Sequence, residues 1–144
     1  MIPLDSGPEV MGPLLRQAHQ RAAKAFATAL RPLGIEGRHF GVMTTLASRG
    51  ALTQSQLIAA LHGEKSAMLR TVDDLERLGL AVRHDVPGDR RARAVGLTPA
   101  GHERLSAARK IAQDVGADLF ACLSDEEQAT LFHLLKRFVA ARDS

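Results

Sequence analysis

The chain is poor in aromatic residues: of 144 residues five are Phe, and there is no Trp and no Tyr. Aromatic faces stack sugars and unpaired bases, so a carbohydrate cleft and a single-stranded nucleic-acid platform are both disfavoured. Cysteine is scarcer still. Cys122 is the only one, which rules out an intrachain disulfide and suits a reducing compartment. No run approaches the roughly 20 apolar residues of a membrane span. The N-terminus lacks the charged segment and apolar run of a signal peptide. The expectation is a soluble, cytoplasmic protein with no membrane partner. A dominant charge is missing too. Lys and Arg number 19 against 16 Asp and Glu, a net charge of +3. Residues 1–50 carry 6 basic and 3 acidic side chains, residues 51–98 carry 7 and 6, and residues 99–144 carry 6 and 7. No segment is a basic tail, so any hold on a polyanion depends on where charges sit rather than on their sum.

What is present is a globular chain: 45% of the residues are apolar, enough to exclude general disorder. The length suits one compact domain or two very small ones. Residues 1–8, with Pro3, Pro8, Gly7 and Ser6, read as a flexible N-terminal arm. From about Glu9 to Leu33, Val10, Leu14, Ala18, Ala22, Phe26 and Leu30 fall four apart, as on a helix. Pro32 and Gly34 stop it. A second helix is expected over about Gly37–Ser48, with Phe40, Met43, Leu46 and Ala47 on one face. Leu52 opens a short helix ending near Leu61, in which Thr53 and Gln56 have the spacing of a capping box. His62-Gly63 turns the chain into a helix over about Glu64–Leu78, closed by Gly79. Leu80 and Val82 then read as the buried face of a strand. Pro87-Gly88-Asp89 is a turn, and Arg93–Leu97 is the return strand, with Val95 and Leu97 inward. Thr98-Pro99 caps a long helix, striped by Leu105, Ala108, Ile111 or Ala112, Val115 and Leu119. Ser124-Asp125-Glu126-Glu127 is a second capping box, and it opens a last helix carrying Leu131, Leu134, Leu135, Phe138 and Val139.

Two helices joined by a tight turn and followed by a hairpin make a winged helix-turn-helix. In that arrangement the second helix enters the major groove of double-stranded DNA. Its phase puts Met68, Val72 and Leu75 inward and Ser66, Leu69, Arg70, Asp73 and Arg77 outward. Arg70 is the candidate for a base edge, because its fork matches the two acceptors of guanine. Lys65 and Ser66 begin the helix, where phosphate contacts are natural, and Thr53, Gln54 and Ser55 have the same place on the helix before it. Asp73 is expected to orient Arg70 or Arg77. Near the hairpin tip, Asp89, Arg90, Arg91 and Arg93 suit an adjacent minor groove, where negative potential is concentrated, with Asp89 ion-paired to Arg90 or Arg91.

Leu52-Thr-Gln-Ser-Gln-Leu57, Ser66 through Asp73, Leu75-Glu-Arg-Leu-Gly-Leu80, Asp89-Arg-Arg-Ala92 and Leu97-Thr-Pro-Ala-Gly101 together resemble the signature of MarR-family transcriptional regulators. The resemblance covers about residues 30–142. It implies a mainly α fold with a small β-hairpin wing. The winged helix-turn-helix, residues 35–98, would be flanked by helical dimerisation regions, residues 9–34 and 99–144. It further implies an obligate homodimer on a palindromic operator, usually a repressor, released by a small ligand such as an aromatic acid or by thiol oxidation. The family's Asp-x-Arg wing motif maps onto Asp89 and Arg91. Leu69 stands where many members carry a hydroxyl residue. In relatives the ligand lies between the first two helices, the long fifth helix and the winged domain. Arg16, Phe26, His39, Phe40 and Met43 are the candidates here, with His39 or Arg16 meeting a carboxylate, although Phe26, His39, Phe40 and Met43 each read more readily as ordinary core.

Other functions are weaker readings. Cys122, among Leu119, Phe120 and Leu123, reads as a buried apolar cysteine rather than an oxidation switch. The six histidines show no metal-ligand spacing, and Glu36 with His39 or His102 with Glu103 makes no site alone. No metal or cofactor is expected. Ser66 and His62 lack a third orienting partner, and there is no phosphate loop, so no enzyme activity is expected. A winged-helix module that binds protein without touching DNA is the remaining alternative. Salt dependence separates the two, since DNA affinity falls steeply with salt.

Overall fold

The computed structural model describes residues 7–141. Of the expected arm, residues 1–6 lie outside that range, and Pro8–Val10 already forms a 3-10 turn. Helix α1, Met11–Leu30, follows, with Pro13 in its first turn, where no N–H partner is needed. A second 3-10 turn, Arg31–Leu33, ends at Gly34, whose φ of 71° is left-handed and costs glycine nothing. The expected first helix over Glu9–Leu33 is thus a regular helix between two tighter turns. Then come α2, Gly37–Arg49; β1, Leu52–Thr53; α3, Gln54–Leu61; and α4, Lys65–Arg77. The hairpin is β2, Ala81–Val86, and β3, Asp89–Leu97, before α5, Pro99–Leu119, and α6, Asp125–Ala140. No described helix is long and apolar enough to cross a membrane.

The anticipated caps form. Thr53 Oγ1 accepts from the Gln56 amide at 3.2 Å while Gln56 Oε1 accepts from the Thr53 amide at 2.9 Å. Ser124 and Glu127 make the same reciprocal pair at 3.1 and 2.9 Å. Thr98 caps α5 through the Gly101 amide at 3.0 Å, and its hydroxyl donates to the Gly79 carbonyl at 2.7 Å. One side chain therefore ties the start of α5 to the turn after α4.

The core gathers Leu30 and Ile35 from the α1–α2 segment, Val42, Met43 and Leu46 from α2, and Leu57 from α3. Val72 and Leu75 of α4, Leu80 and Val95 at the hairpin base, and Leu105 and Ala108 of α5 complete it. Helices α2, α4 and α5 each contribute residues three or four apart, the stripe that a half-buried helix presents.

The sheet differs from expectation in two ways. Leu52 and Thr53 form a two-residue strand rather than the first turn of a helix, and the sheet order is β1-β3-β2. Thr53 is extended because an N-cap residue has non-helical backbone angles, which lets it pair with Ala94 while Leu52 pairs with Val95. In β2 the inward face is one residue out of phase with the reading above: Ala81 is 4% exposed and Val82 38%. The register explains this. Ala81 pairs with Leu97 and Arg83 with Val95, so the residues sharing a face with the inward Val95 and Leu97 are Ala81 and Arg83.

At the other end of the chain, α6 has no buried residue. It is joined to the end of α5 by Gln128, whose amide nitrogen donates to the carbonyls of Phe120 and Leu123 at 3.0 and 3.1 Å. Cys122 is exposed in the α5–α6 turn, not buried as its apolar neighbours suggested. The turn leaves α5 before the apolar stripe can carry the thiol inward.

Candidate nucleic-acid interface

Helix α4 has the phase its sequence requires. Met68, Val72 and Leu75 are buried, together with Thr71, while Lys65, Ser66, Leu69, Arg70, Asp73 and Arg77 are exposed. Lys65 and Ser66 occupy its first turn, where free amides and the helix dipole favour an anion. Among the described residues Arg70 has no ion pair or hydrogen-bond partner, so its guanidinium is available.

The wing is shaped by a break in its ladder. Pairing runs from Ala81↔Leu97 to Asp85↔Arg93 and then jumps to Val86↔Asp89, leaving Arg90, Arg91 and Ala92 out of register. A bulge of this kind re-aims side chains. Asp89 Oδ1 accepts from the Arg91 backbone amide at 3.0 Å. The expected Asp89 ion pair with Arg90 or Arg91 is thus a backbone contact instead. The carboxylate fixes the bulge, and both guanidinium groups are without an ion-pair partner among the described residues. Arg93 is held at 3.4 Å by Asp85.

Thr53, Gln54 and Ser55 from the start of α3, Leu69 from α4, and Arg91 and Arg93 from the wing line one groove of about 570 Å³. With Asp89, which also lines it, seven sequence-predicted positions therefore meet. Lys65, Ser66, Arg70 and Arg77 do not line it but lie on α4, and Arg90 lines a smaller recess at the hairpin tip.

The acidic side chains of α4 are all answered from elsewhere. Asp73 pairs with Arg83 at 2.9 Å, not with Arg70 or Arg77, and Arg83 also pairs with Glu76. Arg77 pairs with Asp74 at 2.7 Å. Asp74 in turn accepts from Arg38 at 2.7 Å and from His39 Nε2 at 3.0 Å, both on α2. Arg38 also donates to Thr71 Oγ1 at 3.0 Å. His39 Nδ1 accepts from the Glu36 amide at 2.9 Å, so the proton is on Nε2 and points at Asp74. The hydrogen bonds from His39 and then Arg38 hold the Asp74 carboxyl down at about 2, against an ordinary value of 3.8. Helix α4 is in this way fastened to α2 on one side and to the wing on the other.

A winged helix with this arrangement of exposed hydroxyl, amide and guanidinium groups is built to hold duplex DNA, and comparison with known proteins agrees. The model of the MarR family matches residues 33–92. The protein assigned to transcriptional regulation of the hcr operon in Thauera aromatica is 33% identical over 124 residues, 85% of this chain and 75% of that protein. The chain belongs to the MarR family. The transcriptional repressor NicR of Pseudomonas putida is 28% identical, covering 95% of this chain and 89% of its own. A cysteine-to-serine mutant of Escherichia coli MarR, solved in complex with operator DNA, superposes with a TM-score of 0.83 at 27% identity, covering 95% of this chain and 99% of that one. This chain is thus a MarR-family winged-helix transcriptional regulator, in a family of regulators rather than enzymes.

The candidate effector residues of this MarR-family chain differ in exposure. Arg16 is exposed on α1, Phe26 and Phe40 are half-buried, and Met43 is fully buried in the core. His39, buried, has both ring nitrogens engaged and is not free to meet a ligand carboxylate. What the sequence reading missed is the clamp on α4: Arg38, Asp74 and Arg83. A signal was there. Asp73, Asp74 and Glu76 put three carboxylates within four residues of a helix offered to a polyanion, which demands nearby cations.

Proposed function

We propose that the chain acts in the cytoplasm as a homodimeric repressor that binds a palindromic operator and lets go when a small ligand binds. The observation that carries the DNA reading is the shared groove. Thr53, Gln54 and Ser55, with hydroxyl and amide groups, line it together with Leu69 and the arginines of the wing, a set suited to phosphate contacts. In this reading residues 35–98 hold DNA, while residues 9–34 and 99–144 pair with a second copy and set the half-site spacing. Repression is the role of NicR, to which this chain is similar.

The test separates two kinds of contact. Arg70→Ala should relax preference at one operator position at a cost of about 1–3 kcal/mol, and Arg91→Ala should weaken binding to all sequences and lower the salt slope by about 1. Fluorescence anisotropy on a selected operator at several salt concentrations reads both. Normal binding by both variants overturns this docking. For the effector, an aromatic acid whose carboxylate meets Arg16 must prefer the conformation that does not fit the operator, since only differential affinity releases DNA. Calorimetry showing equal affinity for free and operator-bound protein overturns that part alone.

A further inference from the structure

We propose that Leu69 is a specificity residue that reads a thymine methyl group, so that each half-site carries a T·A pair beside the G·C pair met by Arg70. This rests on the DNA-binding reading above. The outward face of α4 carries Ser66, Leu69, Arg70, Asp73 and Arg77, and two of these are already committed: Asp73 to Arg83 and Arg77 to Asp74. Among the described residues, Lys65 and Ser66 in the first turn, where phosphate is favoured, and then Leu69 and Arg70 are what is left to touch DNA.

Leu69 is 43% exposed on a helix whose other core-sized apolar residues, Met68, Val72 and Leu75, are at most 6% exposed. It stands about 100° around the helix from Met68 and about 120° from Leu75, so no rotation of α4 hides it without exposing Leu75. The clamp of Asp74 on Arg38 and His39 opposes such a rotation. An unrelieved apolar group in the middle of a polar face has a use only if something apolar arrives there. It lines the same groove as Ser55 and Arg91, which on this docking straddles the major groove. The one apolar group that base edges present there is the C5-methyl of thymine. Leucine has no hydrogen-bonding atom, so it carries no alternative readout.

The experiment first selects an operator from random duplexes with the wild-type protein, then replaces each thymine singly by uracil, which removes only the methyl group. One thymine per half-site should lose about fourfold in affinity, the worth of one buried methyl. For Leu69→Ala, whose folding is checked by its thermal transition, uracil and thymine at that position should bind alike. If an operator is selected but every uracil is tolerated, or if the penalty persists in Leu69→Ala, the assignment to Leu69 is overturned while the DNA reading stands. If no sequence is enriched, both fall together.

Discussion

A methyl group at position 101 has no room. A Cβ there would lie 2.1 Å from the Leu80 carbonyl oxygen and 3.2 Å from a Leu97 methyl. The carbonyl is already committed to the Thr98 amide at 3.1 Å, and backbone cannot swing aside as a long side chain can. Gly101→Ala should therefore destabilise the fold by about 1–3 kcal/mol, the usual cost of overpacking. A urea midpoint equal to wild type would show that α5 can slide away from the hairpin. At this scale the sequence is partly legible. The 3.6-residue period tells which side of α4 faces out, because it depends only on Met68, Val72 and Leu75 being apolar. It does not tell which cation answers which carboxylate. Asp73 has Arg70 and Arg77 as helical neighbours, yet its partner is Arg83, ten residues on, brought close by the strand pairing that also buries Ala81.

Between elements, the α2–α4 clamp has a defined pH response. The Asp74 carboxyl sits at about 2 when folded against 3.8 for the ordinary group, so the folded state binds its proton less readily than the unfolded one. Its contribution to stability is complete above 3.8 and is lost as pH falls from there towards 2. Asp74→Asn keeps the shape and removes the charge. Its stability deficit relative to wild type should be constant from neutral pH to about pH 5 and shrink below that in denaturant melts. A deficit unchanged down to about pH 3 would mean that the clamp is a matter of packing alone. Elements bounded by caps were legible in the sequence: Thr53, Thr98 and Ser124 each begin a helix one residue later. The strands were less so. β1 is two residues long and exists only because β3 lies beside it, and no local pattern in Leu52-Thr53 encodes a distant partner. The face of β2 is hard to read for a similar reason. Leu80 is buried, but in the turn before the strand begins, so alternation counted from it comes out one residue wrong.

For the whole molecule, the leading fact is surface that a single copy leaves uncovered. Phe132, Leu134, Phe138 and Val139 on α6 are 58, 52, 64 and 75% exposed, and Met11 and Leu14 on α1 are 52 and 58%. Leu14, Leu134, Phe138 and Val139 belong to apolar stripes legible in the sequence, whose terminal helices carry more apolar surface than one small domain needs, and the core leaves them out. That is decided by how much of α5 faces inward, which is only its first half, through Leu105 and Ala108. Large apolar side chains left exposed along two helices of a small protein mark an interface, and a second copy meeting them through a two-fold axis is the simplest closed solution. Phe138→Asp places a charge in the middle of that surface without touching any residue buried within one copy. It should yield a folded monomer by light scattering, with an unaltered helical circular dichroism signal per residue. Its grip on a single half-site should match that of wild type, because Ser66, Leu69, Arg70 and the wing are remote from α6. Its affinity for the full palindrome should fall by about 10²-fold or more, since the second half-site is no longer bound at the high effective concentration that linkage provides. A variant that stays dimeric would place the interface elsewhere. A monomer that binds the full operator as tightly as wild type would show that each copy reads its half-site independently.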